Sequence, residues 1–143
     1  MIRLYLILLF LCFLSETAVS AEDIVVVVNP KNTVSSLTRD EVIDIFMGRN
    51  RQLSSGIVAL PLDLPGTSAE REAFYLRLTG KSMSEINAYW ARLVFTGRAS
   101  TPTLVNSQEE ALHKVTENRN AVAYLKRSKA SPQAKVVFEL NDK

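Results

Sequence analysis

Three small residues and one arginine carry the clearest chemistry in this chain, because they lie within one short segment. Gly66, Thr67 and Ser68 are followed by Arg71. Hydroxyls and free backbone N–H groups are donors that suit an oxyanion, and a glycine lets a ligand approach the backbone closely. Arg71 lies one turn further on, where it is either a ligand of the same anion or an exposed residue. The segment also fits a plain strand-to-helix turn that binds nothing.

Two elements must position these residues. The apolar run at 57–62 predicts a strand, and Pro65-Gly66 predicts a turn after it. A helix is then expected to open at Thr67 or Ser68, with Thr67 as its cap and Glu70 as the capping-box partner of Thr67. The first amides of a helix have no partners within the helix, and the helix dipole makes that end slightly positive. The segment therefore predicts an anion site at a helix start.

Residue patterns that would indicate catalysis are missing from the sequence. His113 is the single histidine, and its mid-helix position indicates a surface or half-buried side chain. No cluster has metal-ligand spacing, no serine lies in a nucleophile-elbow pattern, and no phosphate-binding loop or dinucleotide fingerprint occurs. Asp40, Glu41 and Asp44 crowd one short helix, as on a solvated face near a helix start. The sequence therefore predicts a protein that is not an enzyme and has no metal or cofactor.

The first 21 residues have the pattern of a secretory signal peptide. Arg3 is followed by the apolar run 4–14, and Val19-Ser20-Ala21 fits a cleavage site, so the mature chain is expected to begin at Glu22. The formal net charge of +2 is too small to indicate binding to nucleic acid or to a membrane surface. No second long apolar run follows. A soluble protein outside the cytoplasm is expected, with 22–143 as a single domain and no membrane span.

Strands and helices are predicted to alternate along the chain. Strands are expected at 24–28, 57–62, 121–125 and 135–140, and helices after Thr38, Thr67, Ser82 and Ser107. This order favours an α/β domain with a largely parallel or mixed sheet, in which ligands lie at the carboxyl ends of strands. The apolar helix faces predict the core, with Trp90 buried in it. These faces consist of Val42, Ile45 and Phe46; Ala69, Ala73, Phe74 and Leu76; Met83, Ile86, Trp90, Leu93 and Val94; and Ala111, Leu112 and Val115.

Several segments, in this order, resemble the periplasmic phosphate-binding proteins of ABC transporters. They are Val26-Val27-Val28-Asn29-Pro30, Leu37-Thr38 to Ile45-Phe46-Met47-Gly48, Pro65-Gly66-Thr67 with Phe74, Tyr89-Trp90, Phe95-Thr96-Gly97, and Asn120-Ala121-Val122-Ala123-Tyr124. The resemblance implies a short member of the family with a single lobe of the type 2 periplasmic-binding-protein fold, a mixed sheet flanked by helices. In the family, phosphate is held between two lobes, and a Ser-Gly-Thr helix start belongs to one of them. Gly66 and Thr67 match this motif, Pro65 replaces its serine, and Asp63 lies in the neighbourhood of an upstream arginine.

Two hypotheses for the function follow. The leading one is an exported, non-enzymatic protein that binds phosphate or a similar oxyanion through Gly66, Thr67, Ser68 and Arg71 and is associated with phosphate ABC transport. The resemblance implies a periplasmic location, and a membrane transporter or a second protein lobe as partner. The alternative is a periplasmic interaction module that uses the lobe as a scaffold and binds no ligand tightly. A binder should show hydroxyls and free amides around a pocket at Thr67, whereas a module should show an exposed apolar surface.

Overall fold

The computed structural model describes residues 22–141, so the predicted signal peptide at 1–21 lies outside the described residues. The elements follow one another as β1 (Ile24–Val28), α1 (Arg39–Phe46), β2 (Leu60–Asp63), α2 (Ala69–Thr79), α3 (Met83–Phe95), β3 (Thr103–Leu104), α4 (Gln108–Glu117), β4 (Ala121–Lys126) and β5 (Lys135–Leu140). A 3-10 turn at Arg127–Lys129 joins the last two strands. No helix among these residues is long and apolar enough to cross a membrane.

The five strands form one mixed sheet in the order β3-β2-β4-β1-β5. β2 runs parallel to β3 and to β4, whereas β1 runs antiparallel to β4 and to β5. The predicted mixed α/β fold is confirmed. Because β2 and β3 are parallel neighbours, the turns that follow them lie at the same end of the sheet. The helices α2 and α4 begin after those turns.

The core forms around β1 and a cluster of four aromatic rings. All five residues of β1 are buried, as the continuous β-branched run predicts for a strand covered on both faces. Phe74 of α2 stacks on Tyr124 of β4 with ring centroids 3.9 Å apart, and Phe46 and Tyr75 pack edge-on around them. Aromatic pairs of this kind stabilise a core beyond the area that they bury. This cluster joins α1 and α2 to the centre of the sheet.

Trp90 is buried, as predicted, and its ring packs against the turn that follows α1. Only 6% of Trp90 is exposed. Gly48, two residues after α1, has φ of +69°, and a Cβ atom there would lie 2.9 Å from the ring carbon Cη2 of Trp90. Two features therefore require glycine at this position: the backbone conformation and the close approach of the indole ring.

Several predicted details are wrong. The strand predicted at 57–62 is shorter and shifted, because Ile57 and Val58 belong to a loop and β2 covers Leu60–Asp63. The two-residue strand β3 is not among the predicted strands. Leu76 is half exposed, because Phe74, Tyr75 and Leu78 form the buried face of α2 instead. Two further members of the predicted apolar faces, Ala69 and Val94, are also exposed.

Candidate functional site

The start of α2 is built around Ser68. Its backbone N–H donates to the carbonyl of Pro65 at 2.9 Å, which closes the turn that follows β2. Its hydroxyl accepts a hydrogen bond from the amide of Arg71 at 3.2 Å and donates to the carboxylate of Glu70 at 3.0 Å. Ser68 is therefore the N-cap, and the predicted Thr67–Glu70 capping box is wrong. Thr67 and Ser68 both carry a hydroxyl, so residue type alone does not decide which of them caps α2. The turn closes at Ser68, and Ser68 is therefore the cap.

A second helix start lies opposite. Ser107 caps α4 and accepts a hydrogen bond from the amide of Glu110 at 3.1 Å. The carboxylate of Glu110 in turn accepts a hydrogen bond from the amide of Asn106 at 2.7 Å. The two caps are brought together because α2 follows β2 and α4 follows β3, and these strands are parallel neighbours. The slightly positive ends of two helices therefore meet at one end of the sheet.

A cavity of about 300 Å³ lies between the two helix starts. Most of its lining is polar, and it is shared by the two segments that precede the helices. The lining residues are Leu64, Pro65, Thr67, Ser68 and Glu70 on one side and Asn106, Ser107, Gln108 and Glu109 on the other. The Thr67 side chain is exposed and makes no hydrogen bond to any described residue. Its hydroxyl therefore remains available to a ligand in this cavity.

The carboxylates at the rim of this cavity are paired with lysines. Glu70 lies 3.1 Å from Nζ of Lys126, and Glu109 lies 2.9 Å from Nζ of Lys129. The pKa of Glu70 lies below its ordinary value. The backbone amide of Glu70 is the main cause, and Lys126 and Ser68 add to it. The side chain of Lys129 and then the backbone amide of Glu109 lower the pKa of Glu109 in the same way. Both groups are therefore ionised at neutral pH.

Asp63, the last residue of β2, accepts four hydrogen bonds. Only 6% of Asp63 is exposed. One carboxylate oxygen accepts from the amide of Leu64 at 3.0 Å and from the hydroxyl of Tyr124. The other accepts from the hydroxyl of Tyr75 at 2.9 Å and from Nε of Arg71 at 3.2 Å. Burial raises the pKa of both tyrosines, and the charge of Asp63 raises it further, so both phenols stay protonated and act as donors. The carboxylate is thus satisfied by the protein itself.

Arg71 is directed into this network. Its side chain is 11% exposed, its Nη1 lies 3.2 Å from the sulfur of Met83, and its guanidinium lies over the ring of Tyr75. Of the four residues predicted to bind an anion, Thr67 and Ser68 line the cavity, whereas Gly66 and Arg71 do not. Gly66 is exposed in the turn beside the cavity. Binding by any of the four remains a prediction.

Sequence reasoning missed the second wall of the cavity, which Asn106, Ser107 and Gln108 form. A signal was present, since Ser107 begins a Ser-x-x-Glu pattern like the one that starts other helices of the chain. The pairing of Asp63 with Arg71 was also missed. Within the described part of the chain, no group of three or more His, Cys, Asp and Glu side chains is placed to hold a metal ion. His113 lies on the surface and faces Glu117 at 3.5 Å.

No protein-family model and no curated protein sequence matches the chain. Among solved structures, an ABC-type phosphate transport receptor from Vibrio cholerae is similar over 81% of this chain and 45% of its own, with a TM-score of 0.65 and 20% sequence identity. A phosphate ABC transporter substrate-binding protein with bound phosphate from Clostridium perfringens is similar over 81% and 44%, with a TM-score of 0.65 and 16% identity. PstS from Borrelia burgdorferi is similar over 81% and 46%, with a TM-score of 0.57 and 10% identity.

At these identities the likeness shows the fold alone. The predicted resemblance to phosphate-binding receptors, and the predicted fold of one periplasmic-binding-protein lobe, are confirmed at that level. The chain spans less than half the length of the structures that it matches.

Proposed function

We propose that this chain is an exported, non-enzymatic protein that binds phosphate or a similar oxyanion weakly, in association with phosphate ABC transport. The anion occupies the cavity between the starts of α2 and α4. The observation that carries the proposal is the meeting of two capped helix starts at one polar cavity, at the carboxyl ends of two parallel strands. Ligands in open α/β sheets lie at such places.

The chemistry of the cavity supports an oxyanion more than an apolar ligand. Thr67 and Ser107 present hydroxyls, Asn106 and Gln108 present amides, and two helix dipoles add a small positive potential. The rim carboxylates Glu70 and Glu109 oppose an anion, but their charges are offset by Lys126 and Lys129. We therefore expect a dissociation constant of roughly 0.1–1 mM, or about 4–5.5 kcal/mol of binding free energy.

The transport role, the partner and the location are supported by the neighbours and by the sequence. The structures with this fold are named as receptors and substrate-binding proteins of phosphate ABC transporters, not as enzymes. The pattern at 1–21 supports export, and the periplasm is the expected destination. A membrane transporter, or a second protein lobe that closes over the cavity, is the expected partner.

Titration of the exported protein with inorganic phosphate tests the binding site directly. Backbone amide resonances should be followed by NMR at constant ionic strength, with sodium chloride as the matched control and calorimetry as the second readout. We expect the amides of Thr67, Ser68 and Ser107 to shift together at millimolar phosphate, with one common dissociation constant. No shift at 10 mM phosphate, or shifts confined to another surface, would show that the cavity is not an oxyanion site.

A second candidate function, the interaction module, is favoured by the exposed apolar residues near the edge of the sheet. Val58, Leu60 and Leu104 are 60%, 37% and 65% exposed, and β3 pairs with only the last two residues of β2. A second protein lobe is the occupant proposed for this surface, because exposed apolar residues grouped at one place are typical of protein contacts. Light scattering after gel filtration decides whether that lobe is a second copy. A dimer that Leu104→Lys dissociates would support this candidate, and a monomer at all concentrations would exclude self-association.

A further inference from the structure

The charges around the proposed cavity are balanced within the protein. Lys126 is paired with Glu70, Lys129 with Glu109, and Arg71 with Asp63. Two of these pairs lie at the exposed rim, where solvent weakens their effect on a ligand. The third pair is nearly buried, with side chains that are 11% and 8% exposed. Arg71 is therefore a cation that lies next to the site and is withheld from it.

The position of Arg71 on α2 shows how close it lies to the cavity. Its backbone amide donates to the hydroxyl of Ser68, and Ser68 lines the cavity. An arginine side chain is long enough to turn from the interior toward the first turn of its own helix. The hydrogen bond from Nε to Asp63 and the contact of Nη1 with Met83 hold it in the interior instead.

The position of Asp63 makes it the group that holds Arg71 there. Asp63 is the last residue of β2, and its carboxylate accepts a hydrogen bond from the amide of Leu64, the first residue of the turn that leads to the cavity. The hydroxyls of Tyr75 and Tyr124 hold the carboxylate itself in place. Asp63 therefore already supplies Arg71 with an anionic partner. An external oxyanion would have to compete with this carboxylate for the guanidinium.

We infer that Asp63 is an affinity-determining residue, an internal counter-anion that keeps Arg71 out of the cavity and thereby holds oxyanion binding weak. The inference rests on the proposed function for the position of the site. It also deepens that function, because it assigns the weakness of binding to one carboxylate. Replacing Asp63 by a neutral residue of the same shape should release the guanidinium for a bidentate contact with the ligand.

The test is Asp63→Asn, titrated with inorganic phosphate beside the wild type. We expect the dissociation constant to fall about tenfold, or about 1.4 kcal/mol. The double variant Asp63→Asn/Arg71→Met should lose this gain, because the gain depends on the guanidinium. The exposed Asp40 lies on α1 and outside the cavity lining, so Asp40→Asn is the matched control for loss of one negative charge. It should bind like the wild type.

The outcomes separate this inference from the proposed function. If the wild type does not bind and Asp63→Asn does, the proposed function fails for the natural chain and the inference stands. If folded Asp63→Asn binds no more tightly than a wild type that binds, the inference fails and the proposed function stands. If neither folded protein binds, both fail.

A measurement on the wild type covers the case in which Asp63→Asn does not fold. The Nε–H resonance of Arg71, assigned by its loss in Arg71→Lys, reports directly on the guanidinium. We expect it to stay unshifted at saturating phosphate while the amide of Thr67 shifts. A shift of the Nε–H resonance with the same dissociation constant would show that Arg71 already binds the ligand, and the inference would be wrong.

Discussion

The substitution Thr67→Asp, compared with Thr67→Asn, tests the site by charge alone. Thr67 lines the cavity, is exposed, and makes no hydrogen bond to any described residue. Both replacements should therefore change the free energy of unfolding by no more than about 0.5 kcal/mol. The aspartate should stabilise the protein slightly relative to the asparagine, because a negative charge beside a helix start is favourable.

The expected effect on binding has the opposite sign. A carboxylate about 5 Å from a bound monoanion repels it by roughly 1 kcal/mol in water and by about 3 kcal/mol at an effective dielectric constant of 20. Relative to asparagine, aspartate should weaken phosphate binding by about fivefold at the low estimate and by more than a hundredfold at the high one. Because Thr67 is exposed, the effect should lie nearer the low estimate and should shrink as salt is added.

The assay is a pair of phosphate titrations by calorimetry at low and at physiological ionic strength, with urea unfolding of both variants as the check on folding. The two measurements should move apart: Thr67→Asp is the more stable variant and the weaker binder. Equal affinities for the aspartate and asparagine variants, with both folded, would mean that no anion binds near residue 67. The interaction module would then become the leading function.

Three further predictions concern the turn, the helix cap and the N-terminus. Ser68→Ala removes the cap of α2 and should cost about 1 kcal/mol in urea unfolding, whereas an equal cost for Thr67→Ala would restore the original cap assignment. A methyl group on Gly66 would meet no atom within 4 Å, so Gly66→Ala should keep wild-type stability yet weaken phosphate binding severalfold if the ligand touches the turn; unchanged affinity would place the anion away from Gly66. Mass spectrometry of the exported protein should give a chain that begins at Glu22, and a retained Met1 would contradict the signal-peptide interpretation.

The starts of the helices were the easiest features to predict, because a capping residue acts locally. Thr38, Ser82 and Ser107 cap α1, α3 and α4 as their sequence patterns indicate. The strand β3 was missed because it contains two residues, both exposed, and two residues cannot show a period. Its existence depends on pairing with β2, which is a tertiary contact.

The candidate site was predictable in its position but not in its charges. The strand-turn-helix pattern around Gly66 predicts a helix start, and the structure has a helix start and a cavity there, whereas anion binding at this place remains a prediction. The partner of Arg71 is eight residues earlier, across a turn whose geometry the sequence does not specify. The burial of Asp63 depends on hydroxyls from Tyr75 and Tyr124, and Tyr124 is distant in sequence. Short-range patterns therefore indicate where donors lie, whereas long-range packing decides which of them are already satisfied.

The order of the strands also bears on how the chain reaches this structure. In the described chain, the first strand pairs only with the last two: Ile24 of β1 lies opposite Lys126 of β4 and Leu140 of β5. These partners are roughly a hundred residues apart in sequence, so the entropy of closing a long loop must be overcome before β1 is enclosed. The pairing of β1 therefore cannot be completed during synthesis until β5 has emerged. Such a chain should fold more slowly than one built from neighbouring hairpins.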